Sequence, residues 1–442
     1  MKRASENKTD TVRRPRLLFL CHTLPYPPDG GPWIRTYHVL RLLARTFDVT
    51  ALCFERAATA GQGASWDVAA GDTALGRFAD VEVFPIPQRH SRLRWVWDHL
   101  RSALLGRVYT TYLYRSRAFQ RRLNELLQSG SFDAVHIDSL DLSGYLPRLT
   151  GLPTVCVHHD VQSSLLGRRA GVEKNVWRRA YLRYQSALMR RQEMYWCGRI
   201  ALNVMVSEAD GATLQALAPS ARVTVVPNGV DVDEFRIDAN APGDGIAFAG
   251  GAIAFPNPDA LAFFCGEILP HLRKADADIK VKWIGRASRE QQTYHRDKYG
   301  VELTGYVEDV RPLMSAAACH IVPLRAGGGT RLKILNSWAM GKAIVSTSIG
   351  CEGLEGVDGV NLLIRDDPKE FADAILLLLR DTALRERLGA GGRATAERLY
   401  SWEVIGQTIA ERYQAAIAEH AASSNSTAAT ETIRREPGYS HP

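Results

Sequence analysis

The sequence predicts an α/β protein built from two Rossmann-like, doubly wound domains. Three observations predict it. From Arg16 onward, short apolar runs alternate with segments of helical period. The runs are rich in Val, Ile and Leu without strict alternation, which is the pattern of parallel strands buried on both faces. The series also occurs twice, on either side of a turn-rich stretch at 227–245. A chain of 442 residues is long for one domain and comfortable for two.

The first series of expected strands is 16–22, 48–55, 81–87, 133–138, 154–160, 199–207 and 223–229. The second is 246–251, 279–285, 301–307, 319–324, 343–348 and 361–366. Helical patterns separate most of them. The expected organisation is a disordered arm at 1–14, a first domain at 15–228, a second at 229–400, a helix at 401–420 and a disordered tail at 421–442. The tail is rich in Ser, Thr and Ala and poor in large apolar residues.

Composition narrows the class. Hydrophobic residues make up 45% and charged residues 23%, ordinary globular values. No run of about 18 apolar residues occurs, so no spanning helix is expected. The apolar start RLLFLCH breaks at His22 and reads as a first strand rather than a signal peptide. Seven cysteines are scattered and never form a C-x-x-C pair. That usage fits reduced thiols in a cytoplasmic protein, not a disulfide framework or zinc site. The formal charge of +7 is concentrated early: residues 1–235 carry 31 Lys and Arg against 22 Asp and Glu. The first half is therefore the part expected to meet something acidic.

Three glycine pairs or runs end expected strands. The most informative is RAGGGTRLKILNSWAMG, where a strand feeds Gly328, Gly329, Thr330, Arg331, Leu332 and Lys333 into a helical pattern that includes Asn336. The first amides of a helix lack internal partners and its dipole favours an anion there. Glycine lets backbone approach a phosphate closely, and Arg325, Arg331 and Lys333 add charge. The alternative is a tight turn with solvated basic groups. The pairs Gly30–Gly31 and Gly250–Gly251 sit in corresponding places, and open α/β sheets bind ligands at that edge.

These segments, with VVPNGVDVDEF (225–235), TGYVEDVRPLMSAA (304–317) and GGGTRLKILNSWAMGKAIVSTSIGCEGLE (327–355), resemble the family-four glycosyltransferases of the GT-B fold, particularly sugar transferases of bacterial exopolysaccharide and lipopolysaccharide assembly. The resemblance spans about residues 15–420. It implies two domains facing across a cleft, with a nucleotide-diphosphate-sugar donor held mainly by the second domain. The acceptor, a saccharide or a lipid-linked molecule, would lie mainly on the first. It implies retention of anomeric configuration, no cofactor, no metal, and a last helix crossing back to the first domain. Val307 and Glu308 match a turn that pairs with the nucleobase through backbone groups; an exposed helix start is the alternative. His159 matches a histidine beside the donor sugar, and with its neighbour Asp160 makes the candidate catalytic pair. The alternative is a histidine capping the next helix with help from Asp160. Two glutamates usual in the family fall here on Gly328 and Asn336. Asn336 retains hydrogen-bonding capacity without charge.

His158, His159 and Asp160 are not expected to hold a metal, since adjacent strand residues point to opposite faces. Segments 92–127 and 161–199 are basic, aromatic and amphipathic, as in helices that lie on an anionic membrane surface. Packed helices with solvated arginines are the alternative. Nucleic acid fits the charge but nothing else. Two other functions stay open at this level: a nucleotide-sugar epimerase on the same scaffold, and a catalytically silent nucleotide-sugar-binding protein.

Overall fold

The computed structural model describes residues 13–28, 31–56, 68–89, 91–236, 243–253, 256–327 and 330–433. The chain divides into two compact units. One comprises 1–204, 214–224 and 406–442; the other comprises 205–213 and 225–405.

The first unit is built on a seven-stranded sheet of order β3-β2-β1-β4-β5-β6-β7. Its strands are β1 Arg16–Cys21, β2 Asp48–Phe54, β3 Asp80–Phe84, β4 Ala134–Asp138, β5 Thr154–Val157, β6 Leu202–Met205 and β7 Val223–Val225. The pairings of β1 with β2 and β4, of β4 with β5 and of β5 with β6 are all parallel. Leu17 to Cys21 are wholly buried, which is why this stretch is apolar without alternation. The register sets Cys21 beside Asp138, and Asp138 beside Val157. The carboxyl ends of three central strands therefore lie level with one another.

The second unit carries a six-stranded sheet of order β10-β9-β8-β11-β12-β13. Its strands are β8 Ile246–Ala249, β9 Val281–Ile284, β10 Val301–Leu303, β11 Cys319–Val322, β12 Ile344–Ser346 and β13 Leu363–Ile364. Its core gathers Phe248, Trp283, Trp338 and Phe371 around the strand residues. Each of the thirteen strands falls within or overlaps a run expected from sequence.

Some boundaries differ from expectation. The second unit begins at Val225 and also takes residues 205–213, because Thr330 Oγ1 donates to the Val206 carbonyl at 2.9 Å. The last helix, Trp402–Ile433, runs into the stretch read as a disordered tail, and residues 434–442 lie outside the described part. From Gly406 on, this helix belongs to the first unit. Arg13 and Arg14 fall in the expected disordered arm, residues 1–14. In the structure Arg13 reaches Asp133 at 3.4 Å and Arg14 donates to the Ala44 carbonyl at 2.7 Å; residues 1–12 lie outside.

Candidate active site

Two clusters of chemically capable side chains stand at strand ends, one in each unit.

In the first unit the centre is Asp138, the last residue of β4, with a side chain 1% exposed. Its Oδ1 lies 3.2 Å from His159 Nε2 and 3.1 Å from Thr36 Oγ1, and its Oδ2 lies 3.1 Å from His22 Nδ1 and 3.5 Å from Cys21 Sγ. Burial alone would raise the Asp138 pKa, but His159 and His22 outweigh it and hold the carboxyl well below its ordinary value. Burial likewise works against a charged His22, but its bonds to Asp138 prevail and push it up to about 9. His22 is thus an imidazolium at neutral pH, locked by a carboxylate. Ser139, directly after Asp138, has φ 85°, a conformation costly for a residue with a Cβ. Its hydroxyl accepts from Gln162 Nε2 at 2.8 Å.

His22 and His159 line a cavity of about 400 Å³, together with the apolar Val108, Leu165, Leu166 and Met189. Two imidazoles fixed by one carboxylate in the lining of an amphiphilic pocket can hydrogen-bond to sugar or acceptor hydroxyls. Asp160, expected beside His159, instead lies 3.7 Å from Arg168. The carboxylate on His159 is Asp138, which sequence reasoning missed along with His22 and Thr36. A signal was present: DAVHID ends an apolar strand on an acid, at the edge where ligands bind. Cys21, His22 and Asp138 bring three donor atoms within 4.8 Å of one another. Cys21 Sγ and His22 Nδ1 both lie within hydrogen-bond reach of Asp138 Oδ2, and burial pushes the Cys21 thiol well up.

In the second unit the centre is Lys333, in the first turn of the Leu332–Ala339 helix. Its Nζ donates to Asn257 Oδ1 at 2.9 Å and lies 4.3 Å from the centroid of the Phe248 ring. Among the described residues no carboxylate pairs with it. Burial, with Arg331 nearby, pushes Lys333 down to about 7. Arg331 is buried. It donates to the Ile349 carbonyl at 3.1 Å and lies 3.6 Å from Glu352. A Cβ on Gly327 would lie 2.6 Å from the Arg331 guanidinium, at φ 138°, so only glycine fits there. Thr330 ties the loop down: besides its bond to Val206, it accepts from the Asn228 amide at 3.1 Å. Leu332 packs partly into the core, and its amide donates to the Thr330 carbonyl at 3.0 Å, so it is not open to an anion as expected. Asn336 is half-buried one turn beyond Lys333. Gly328 and Gly329 lie outside the described residues.

Gly250 borders this cluster: a Cβ there would meet Asn257 Nδ2 at 2.9 Å. Gly251 has a plainer reason to be glycine, since its Cβ would lie 2.8 Å from the Arg286 backbone. Arg325 is not part of the cluster. Its guanidinium is held by Asp259 at 2.8 Å and Glu267 at 3.2 Å, so its charge is already matched. Val307 is half-buried and Glu308 exposed, in the turn after β10; Asp309 closes that turn by accepting from the Arg311 amide at 2.9 Å. Gly31 opens the Gly31–Thr46 helix in the first unit, and Gly30 lies outside the described residues.

Two parallel α/β units, one with a carboxylate-locked histidine pair and one with an arginine and a lysine at a helix start, define the class of GT-B glycosyltransferases. Residues 29–234 match the family model described as Glycosyltransferase Family 4, and residues 244–381 the model described as Glycosyl transferases group 1. The chain belongs to this glycosyltransferase family. It is 24% identical to a phosphatidyl-myo-inositol mannosyltransferase of Mycobacterium tuberculosis over 314 residues, 67% of this chain and 77% of that protein. It is 27% identical to a D-inositol 3-phosphate glycosyltransferase of Nocardioides over 254 residues, 50% of this chain and 55% of that protein. Among solved structures, HepE of Anabaena in complex with UDP superposes with a TM-score of 0.62 at 16% identity, over 90% of this chain and 100% of that one. WaaG, a glycosyltransferase involved in lipopolysaccharide biosynthesis, superposes at 0.60 and 16%, over 90% and 99%. These likenesses carry the fold.

Proposed function

We propose that the enzyme moves a sugar from a nucleotide-diphosphate-sugar to a saccharide or lipid-linked acceptor. Transfer proceeds with retention, without a metal, in the cytoplasm and in the service of cell-surface polysaccharide. The observation that carries the donor assignment is Lys333: a cation at a helix start, beside Arg331, whose one polar side-chain partner among the described residues is the Asn257 amide oxygen. An incoming diphosphate completes it. As the bond from the anomeric carbon to the diphosphate oxygen breaks, negative charge grows on the leaving group, and pre-aimed cations stabilise that charge. The histidine pair under Asp138 serves the sugar or acceptor hydroxyls. The existence of neighbours solved with UDP and with UDP-glucose supports a nucleotide-sugar donor. The names of the mycobacterial relatives support an acceptor with a lipid part, and the apolar wall of the first-unit cavity suits one.

The test is binding by calorimetry. Lys333→Ala should weaken a nucleoside diphosphate roughly 10- to 100-fold while changing nucleoside binding little, since a charged hydrogen bond is at stake. Equal losses for both ligands would remove the phosphate assignment. Anomeric configuration of the product, read by NMR, decides retention.

A further inference from the structure

Outside both clusters, the first unit holds a groove of about 900 Å³ between the helices Arg92–Leu105 and Arg117–Ser129. Five arginines line it: Arg94, Arg101, Arg115, Arg117 and Arg121. The one acid in its lining is Asp98, already 3.5 Å from Arg94. Among the described residues, no carboxylate pairs with the other four arginines. Both helices also begin with arginines and carry no acid in the first turn. Cations at the positive end of a helix are unfavourable, so each helix start is left with a charge that an anion would relieve.

A second feature adjoins it. On the Arg92–Leu105 helix, Leu93, Trp97, Leu100 and Leu104 recur at helical spacing and are exposed, two of them by more than three quarters. Trp97 belongs both to this stripe and to the wall of the groove. The start of the neighbouring Val176–Cys197 helix adds exposed Trp177, and its Tyr184 hydroxyl donates to the Ala103 carbonyl at 2.9 Å. A soluble polyanion would account for the arginines and leave the stripe without a purpose. A bilayer accounts for both: tryptophan and leucine enter the headgroup boundary while arginines meet phosphates.

We propose that this groove is a binding site for the phosphate headgroups of anionic phospholipid, with the Arg92–Leu105 helix lying in the bilayer interface. The groove shares Arg115 and Gln120 with a smaller cavity, and that cavity shares Asp141 with the His22–His159 pocket. The lipid face and the candidate acceptor pocket are thus connected through shared lining residues of the same unit. The site is separate from the donor cluster and stands whether or not the donor assignment does.

The test uses the full chain and vesicle co-sedimentation. Vesicles of phosphatidylcholine mixed with phosphatidylglycerol should bind it, vesicles of phosphatidylcholine alone far less, and added salt should weaken the binding. Arg117→Glu with Arg121→Glu should lower partitioning on the order of tenfold or more, and Arg117→Lys with Arg121→Lys should retain it. Leu100→Glu with Leu104→Glu should also lower it. All four positions are exposed, and unchanged thermal melting would show that the variants fold. Binding to anionic vesicles that is indifferent to either Glu pair would overturn the site. So would pyrophosphate binding that depends on Arg117 and Arg121 in a chain that ignores vesicles. A dimer in light scattering, dispersed by the Leu100 and Leu104 changes and without vesicle binding, would assign the stripe to a second copy and overturn the proposal equally.

Discussion

Lys333 and Asp138 are opposite solutions to one physical problem, a charge taken out of water. Asp138 is given partners that hold it well below its ordinary value; Lys333 is given an amide oxygen, and burial pushes it down to about 7. Each makes a prediction about pH. A diphosphate favours the charged lysine, so binding must be accompanied by proton uptake when the free lysine is neutral. Between pH 7.5 and 9.5, nucleoside diphosphate affinity should fall by up to about tenfold per pH unit. Lys333→Met should bind more weakly and lose this slope, and calorimetry in buffers of different ionisation enthalpy should register the proton. A pH-independent affinity in the unaltered chain would mean the lysine does not meet the phosphate. For Asp138, the reporter is His22. In Asp138→Asn its titration, followed by NMR, should drop well below about 9, because burial is then opposed only by Asp141 and the backbone carbonyl of residue 138. The folded value of His22 is raised, so its contribution to stability is complete below pH 6.5 and lost as pH rises through about 9. Asp138 is held low, so its share is present above pH 3.8 and lost as pH falls further. The His22 part is worth roughly 3 kcal/mol, and the melting temperature of Asp138→Asn should be lower across that window. At this scale the sequence showed His159 but not its carboxylate. Asp160 is adjacent in the chain, whereas Asp138 is adjacent only through the parallel register of β4 and β5. Strand order is not written in any local pattern.

At the scale of the element, the Leu332–Ala339 helix shows what sequence reasoning can reach and what it cannot. Its buried Leu335 and Ala339 followed from helical spacing. Its supports did not. Trp338 Nε1 donates to the Asn361 carbonyl at 2.8 Å, and a Cβ on Gly392 would come within 2.3 Å of the Trp338 ring. Glycine in the middle of the Thr382–Thr395 helix is costly by propensity and makes sense only once that close approach is visible. The partners of Arg325 stay hidden for the same reason, because Asp259 and Glu267 lie some sixty residues away in sequence. Asn336 sits three residues after Lys333, a spacing at which helix side chains meet. A glutamate there would pair with the lysine and favour its charged form. Asn336→Glu should therefore preserve or strengthen nucleoside diphosphate binding and move its alkaline decline to higher pH. Titration calorimetry across pH checks both; loss of binding in a folded variant would show that the helix presents a different face to the donor.

Across the whole molecule, the two parallel sheets were legible because each strand is a short apolar run buried on both faces, and that signal needs no long-range information. The division of the chain was less legible, since units are defined by packing between distant segments. The final helix is the clearest case. Its first residues, Trp402 to Ile405, belong to the second unit and the rest to the first. Trp402 packs on Gly229, where a Cβ would sit 2.6 Å from the indole. Four residues on, a Cβ on Gly406 would sit 2.7 Å from Leu42. Deeper in the first unit, the Tyr413 hydroxyl shares a hydrogen bond with His136 Nδ1 in β4, and both side chains are fully buried. Burial holds His136 near 3 and so neutral, and Phe19 stacks on its ring at 3.7 Å. Tyr413→Phe keeps the packing and strands the imidazole nitrogen, at a cost of about 1–3 kcal/mol. That loss should fall on one unit. Hydrogen exchange should quicken at amides of β1, β4 and β5 and stay unchanged at β8, β9 and β11. Equal loss of protection in both sheets would mean that the helix after Gly406 supports the second unit as much as the first.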